Sequence, residues 1–268
     1  MGIQKNVTQA DINQPDKKQA DVNQPDRNQP DINQSEIKQA DQQKTVPSPV
    51  HVQSNTDAEK PWTFQEELFP VEELYCFVEQ FARKNGLEQT SAALPFMKTS
   101  HAGQVRKGPG QIPYIYHPLT MARHSIAMGL TEDALLAAIL LHDVCEDCGV
   151  KPEALPVNET VREAVVYLTF QNPEGIPKAQ AKGQYLEALK ENRLAAVIKL
   201  LDRCSNVSAM AGGFTRGRIV HYITETETYL LPLIEIIKNR YPEYDNAMFL
   251  IKYQMGSVLE SLKHMLEG

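Results

Sequence analysis

The stretch Ala134-Leu-Leu-Ala-Ala-Ile-Leu-Leu-His142-Asp143-Val-Cys-Glu146-Asp147 decides how this chain is read. It joins the longest uninterrupted apolar run, Ala134 to Leu141, to four ionisable side chains. The run falls far short of the roughly 20 residues a membrane helix needs, so it suits a helix buried in a core. Thr131 as N-cap, with Glu132 and Asp133 in the first turn, predicts the helix start, and the pattern predicts that it runs on to Asp147. On a continuous helix His142 and Glu146 are i,i+4 neighbours, and so are Asp143 and Asp147. Carboxylates held close together repel and raise each other's pKa. A divalent cation reverses that penalty, because it becomes the largest local charge. The bland alternative is a helix end fraying into solvent with ordinary surface acids.

Three features elsewhere weigh against the bland alternative. His117 closes the segment Pro113-Tyr-Ile-Tyr-His117-Pro118. Asp202 follows an apolar helical run in Val197-Ile-Lys-Leu-Leu-Asp202-Arg-Cys-Ser-Asn206. Arg106-Lys107 places two adjacent cations in a Gly/Pro-rich loop, a clamp suited to a polyphosphate. Imidazole together with carboxylate suits a borderline metal such as Mn²⁺ better than an all-oxygen Mg²⁺ or Ca²⁺ site. Such a metal polarises a phosphoryl oxygen and lowers the pKa of bound water. A free carboxylate such as Glu146 then serves as proton acceptor.

Working outward, apolar residues recur at helical spacing from Trp62 onward, with Leu74, Phe77, Val78 and Phe81 on one stripe of a helix over 71–85. Further helices are predicted over 90–101, from Pro118 as first helical residue to Met128, and over 159–170, 178–190, 193–210, 217–238 and 245–265. No alternating pattern of β type appears. The expected fold class is all-α, with nine helices in one domain over residues 61–268.

Residues 1–60 differ in kind. The chain's 8 Phe, 10 Tyr and 1 Trp all lie at or after Trp62. Gln recurs at 9, 14, 19, 24, 29, 34 and 39, with an acid two positions on each time. A pentapeptide β-helix is disfavoured, because Pro15, Pro25 and Pro30 remove backbone donors and Lys17 and Arg27 stand where an inward apolar residue belongs. The reading adopted is a disordered Gln/Asp-rich tail and linker, unable to bury enough apolar surface to offset its ordering entropy. That tail dilutes the chain's hydrophobic content to 42%.

The formal net charge of −7 argues against a broad nucleic-acid surface, which needs clustered Lys and Arg. No apolar segment near the N-terminus reads as a secretory signal, and Asn6 stands where a myristoylation start has Ser or Thr. Four Cys in 268 residues do not make a disulfide scaffold. A reducing cytoplasm is the expected compartment, with neither membrane nor nucleic acid as partner.

The ordered set Arg106-Lys107, Pro113-Tyr-Ile-Tyr-His117-Pro-Leu, Leu141-His142-Asp143-Val-Cys-Glu146-Asp147 and Lys199-Leu-Leu-Asp202-Arg-Cys-Ser-Asn206 resembles the HD-type hydrolase domain of RelA/SpoT-like alarmone enzymes and the stand-alone small alarmone hydrolases. The segment Tyr222-Ile-Thr-Glu-Thr-Glu-Thr-Tyr-Leu-Leu-Pro-Leu is similar to the helix that follows in that family. The resemblance spans about residues 88–235. It implies an HD-type helical bundle, with His117, His142, Asp143 and Asp202 as metal ligands, usually for Mn²⁺. It implies Glu146 and Asp147 as the catalytic acids that orient and activate water, and Arg106, Lys107 and Asn206 as nucleotide contacts. The implied reaction removes the 3′-pyrophosphate of ppGpp or pppGpp, giving GDP or GTP and pyrophosphate.

Departures exist. Ala209 and Ser208 differ from the family's usual residues, and residues 150–175 diverge beside the nucleotide pocket, so another nucleotide substrate and a non-catalytic nucleotide-binding module stay open as alternatives. No room is seen after residue 268 for a synthetase domain. Cys145 and Cys148 are expected to be free thiols, and Cys204 to face the site region. His101 is expected to pack or hydrogen-bond near the Arg106 loop, His124 to be solvated, and His51, His221 and His264 to be isolated surface residues. Of Tyr114 and Tyr116, either could stack on a base, with one packing under the metal loop.

Overall fold

The computed structural model describes residues 69–107, 111–210 and 214–267. The repeat tail, the boundary at residue 60, Trp62 and His51 lie outside these residues. Among the described residues the regular structure is helical, with one isolated bridge, Val105 to Pro113, and no named strand.

The helices are α1 Val71–Lys84, α2 Glu88–Ser100, α3 Tyr116–Ala127, α4 Asp133–Leu141, α5 Val144–Cys148, α6 Glu159–Leu168, α7 Lys178–Ala188, α8 Arg193–Ala209, α9 Arg216–Glu225, α10 Leu231–Arg240 and α11 Asp245–Glu267. The all-α expectation holds. Two of the nine expected helices are each divided in two, and both divisions have physical causes. The expected 217–238 helix passes through a π segment, Thr226–Leu230, before α10. Pro232 lies in the first turn of α10, where it has no N–H to donate, so the regular i→i−4 ladder cannot run through it.

The second division bears directly on chemistry. The expected 131–147 helix ends at Leu141, and His142-Asp143 form a turn before α5. Asp143 has φ −103° and ψ −5°, in the sparsely used bridge region. His142 therefore stands outside the regular helix, while Asp143 caps α5 and its carbonyl still accepts the i,i+4 bond from Asp147 N at 2.8 Å. The helix starts also shift slightly: Glu132, not Thr131, precedes the first turn of α4, and α3 begins at Tyr116 with Pro118 inside its first turn.

Helix α4 is apolar all round because it is buried all round. Leu135 through Leu141 are each fully buried. It packs against α2, α3, α6 and α8, so it forms the axis of the bundle. Burying each such leucine stabilises the fold by about 1.5–3 kcal/mol. Helix α8 is the second long central element and contacts α3, α4, α6, α10 and α11. A smaller cluster of Val207, Met210, Ile219, Ile223, Leu259 and Leu262 packs α9 and the far end of α11 onto the end of α8. The end of α4, the middle of α8 and the start of α3 thus meet on one side of the core.

Candidate active site

Where α4 ends, its last carbonyls lose their helical partners. One of them, Ile139 C=O, accepts a hydrogen bond from His142 Nδ1 at 2.8 Å. With Nδ1 donating, Nε2 is the nitrogen left to meet a proton or a cation. That atom is buried and makes no hydrogen bond, although Asp143 Oδ2 lies 2.8 Å away in an ion-pair contact. His117, in the first turn of α3, pairs its Nδ1 with Ser205 Oγ at 3.1 Å. Its Nε2 lies 3.1 Å from Asp202 Oδ1. The two rings meet edge to face with centroids 5.2 Å apart. One donor atom each from His117, His142 and Asp143 lies within 4.8 Å of the others, and Asp202 joins them through His117.

The electrostatics fit a cation. Burial pushes the Asp143 pKa up, but His142 outweighs it and holds the carboxyl well below the ordinary range. Burial opposes Asp202 in the same way, and Lys199, 2.8 Å away, together with His117 keeps it ionised. Burial lowers His117 despite the Asp202 bond. His142 is pulled down by burial, yet Asp143 and then Asp202 raise it to about 9. Two ionised carboxylates therefore face two imidazoles, one of which holds a proton in place of a cation. Imidazole and carboxylate donors gathered in one buried cluster are the set a divalent metal takes, in place of that proton.

Around this centre lies a cleft of about 570 Å³, lined by Arg106, Tyr114, Asp147, Asn206, Arg218 and Tyr222 among others. The bridge pins the Arg106 loop: Arg106 N donates to Ile112 C=O at 2.8 Å, and Tyr114 N to Gln104 C=O at 2.9 Å. Arg106 Nη2 donates to Asn206 Oδ1 at 3.2 Å, and Asn206 Nδ2 donates to Asp202 Oδ1. A polar chain thus links the candidate nucleotide contacts to a candidate ligand. Lys107 is exposed at the rim. Glu146 and Asp147 are exposed on α5 and line the same cleft, with Glu146 Oε2 held by Phe170 N at 2.9 Å. All nine candidate residues named from the sequence therefore gather at one cleft. A second cleft of about 680 Å³ shares Glu146, Asp202, Asn206 and Tyr222 and adds Lys178, Lys182 and Phe170.

Several residues at the site carry no mark in the sequence, and others lie elsewhere than their spacing predicts. Lys199 and Ser205 stand three residues either side of Asp202, a helical spacing that could have flagged them. Phe214, Arg218 and Tyr222 come from α9 and its approach, and no local signal marks them. Tyr114 donates its hydroxyl to Asp143, while Tyr116 is buried in the core. Burial first, then the Asp143 carboxylate, pushes the Tyr114 pKa far above its usual value, so it stays a donor. Cys204 does not face the site but lies in the core, where burial pushes its thiol up to about 12. Cys145 and Cys148 are free thiols, as expected. His101 packs and hydrogen-bonds beneath the loop, also as expected. His124 is half-buried against Phe77 and Leu74 rather than solvated, and burial lowers its pKa. His221 and His264 are exposed but have carboxylate neighbours in Glu225 and Glu260.

An all-α bundle that brings two histidines and two aspartates together in this way has the form of a hydrolase of the HD type, a class that uses divalent metals. Comparison with known proteins narrows the class. No family model matches the chain. A Xenopus tropicalis protein named guanosine-3′,5′-bis(diphosphate) 3′-pyrophosphohydrolase MESH1 is 34% identical over 138 residues, covering 48% of this chain and 76% of that protein. The Mus musculus protein of the same name is 26% identical over 175 residues, covering 64% of this chain and 97% of its own length. A solved structure titled "A metazoan ortholog of SpoT hydrolyzes ppGpp and plays a role in starvation responses" superposes with a TM-score of 0.52 at 21% identity, over 65% of this chain and 95% of that one, and so shares the fold. The chain belongs to the family of guanosine-3′,5′-bis(diphosphate) 3′-pyrophosphohydrolases of the MESH1 type.

Proposed function

We propose that this protein removes the 3′-pyrophosphate of ppGpp or pppGpp, giving GDP or GTP and pyrophosphate, with residues 61–268 as the catalytic unit. The observation that supports the site assignment is the convergence of His117, His142, Asp143 and Asp202, from three separate chain segments, in one buried cluster of imidazole and carboxylate donors. Family membership supports the reaction and the substrate.

These four residues would hold the metal, Mn²⁺ by the chemistry of its donors. When bound, the metal supplies charge that polarises the phosphoryl oxygen and acidifies a water. The chain's own groups do the rest. Arg106, Lys107 and Asn206 bind the nucleotide, with Arg106 offering a planar fork to phosphate oxygens. Glu146, steadied by Phe170 N, and Asp147 orient the attacking water, and a Glu146 oxygen takes its proton. Water oxygen bonds to the proximal phosphorus of the 3′-pyrophosphate. The P–O bond to the ribose breaks, a proton returns to the 3′-oxygen, and pyrophosphate leaves. The partner is a small nucleotide, in a reducing cytoplasm. No helix of the described residues is long and apolar enough to cross a membrane.

The test is release of pyrophosphate from ppGpp by the purified protein with Mn²⁺, beside a panel of other nucleotides. Turnover is expected for ppGpp foremost, lost in Asp143→Ala and kept when residues 1–60 are deleted. Full activity in Asp143→Ala would refute the site assignment.

A further inference from the structure

Tyr114 has a place in the site that neither packing nor substrate contact accounts for. Its hydroxyl donates to Asp143 Oδ2, the same oxygen that lies 2.8 Å from His142 Nε2. Its ring stacks on His101, with centroids 4.6 Å apart and planes at 24°, and meets His117 edge-on at 6.2 Å. His101 is only 2% exposed. Its Nδ1 pairs with Gln104 Oε1 at 2.8 Å, with Cys148 Sγ 3.3 Å from the same nitrogen. The backbone closes the unit: Gln104 N donates to His101 C=O at 3.0 Å, and Tyr114 N to Gln104 C=O at 2.9 Å. The phenol is therefore clamped on a face and on an edge, and only its hydroxyl end reaches the carboxylate.

A carboxylate that turns about its last torsion offers a metal either oxygen in many directions. A fixed donor on one oxygen selects an orientation and lowers the entropy lost on ligation. Asp202 already has such donors in Lys199 and Asn206, and the histidines have Ile139 C=O and Ser205. For Asp143 that place falls to Tyr114. We propose that Tyr114, clamped against the imidazole face of His101, is a positioning residue that orients the Asp143 carboxylate for the metal. This rests on the metal-site assignment above. The competing role for Tyr114 is to stack on the nucleotide base.

The test is calorimetric titration of Mn²⁺ into the nucleotide-free full-length protein, followed by kinetics at saturating Mn²⁺. Tyr114→Phe should weaken Mn²⁺ binding by about ten- to hundredfold. Its kcat should return at high Mn²⁺, with the nucleotide KM unchanged. His101→Ala should show the same loss, and His101→Phe, which keeps a stacked ring, should restore most of it. Wild-type Mn²⁺ affinity in Tyr114→Phe, or a raised KM with metal affinity intact, would overturn the proposal and favour base stacking. If the wild-type protein itself binds no Mn²⁺, the metal-site assignment falls and this one with it.

Discussion

Arg106 does two things with one guanidinium. It lines the cleft, and it donates to Asn206, whose amide donates to Asp202. Its place at the base of a bridge-pinned loop makes it the better anchored of the two adjacent cations, because Lys107 is exposed at the rim. A hydrogen bond to a charged group contributes about 1.5–3 kcal/mol, so Arg106→Ala should raise the KM for ppGpp by roughly 10- to 100-fold. The loss should fall less heavily on kcat, since Arg106 touches none of the four ligands directly except through Asn206. Steady-state kinetics of the variant separate the two. A change confined to kcat would place Arg106 at the reacting phosphorus instead.

At the scale of elements, one wall of the second cleft is held by a buried ion pair. Arg203 on α8 meets Glu225 at the end of α9, and also donates to Thr226 Oγ1 at 3.2 Å in the π segment. Both charged residues are buried. Removing one partner of a buried pair leaves an uncompensated charge and costs about 3–5 kcal/mol. Glu225→Ala should therefore lower the Tm by roughly 6–20 °C, at about 2–4 °C per kcal/mol for a domain of this size. Replacing both residues by apolar ones of similar volume should recover much of the loss. Thermal unfolding of the single and double variants checks this. Asp202 directly precedes Arg203 on the same helix and Asn206 lies one turn on, so the pair steadies the helix that carries them.

For the whole molecule, the candidate metal centre gathers charged donors that a bound cation would tie together. Two buried or half-buried carboxylates are ionised beside two imidazoles, at the junction of α3, α4 and α8. A ligand that binds only the folded state stabilises it by about 2.7 kcal/mol at a hundred times its Kd. Saturating Mn²⁺ should thus raise the Tm by several degrees, and EDTA should reverse both the shift and the turnover. Differential scanning calorimetry with and without chelator measures it. An unchanged Tm would mean that the centre holds no cation.

Much of this was legible in the chain. Helix α4 is readable because an apolar run with no polar face has only one place to go, the centre of a helical core. The nine candidate site residues are readable because such charges and imidazoles beside apolar helical runs call for a cation or a phosphate to meet them; eight line one cleft, and His142 is buried beside His117 and Asp143. What the sequence could not show was how that chemistry is arranged. Helical periodicity carried the 131–147 helix straight through His142, whereas the chain breaks there, and the break frees the Ile139 carbonyl that fixes the His142 tautomer. Cys204 looked like a neighbour of Asp202, but two residues along a helix is a turn of about 200°, which carries it into the core. Lys199, Ser205 and Tyr114 act by distance to a ligand, and Arg218 and Tyr222 arrive from another helix altogether. Residue type and order determined which groups must meet and why. Only the packing of α3, α4, α8 and α9 decided which atom faces which, because hydrogen-bond and ligand geometry is set across elements far apart in the chain.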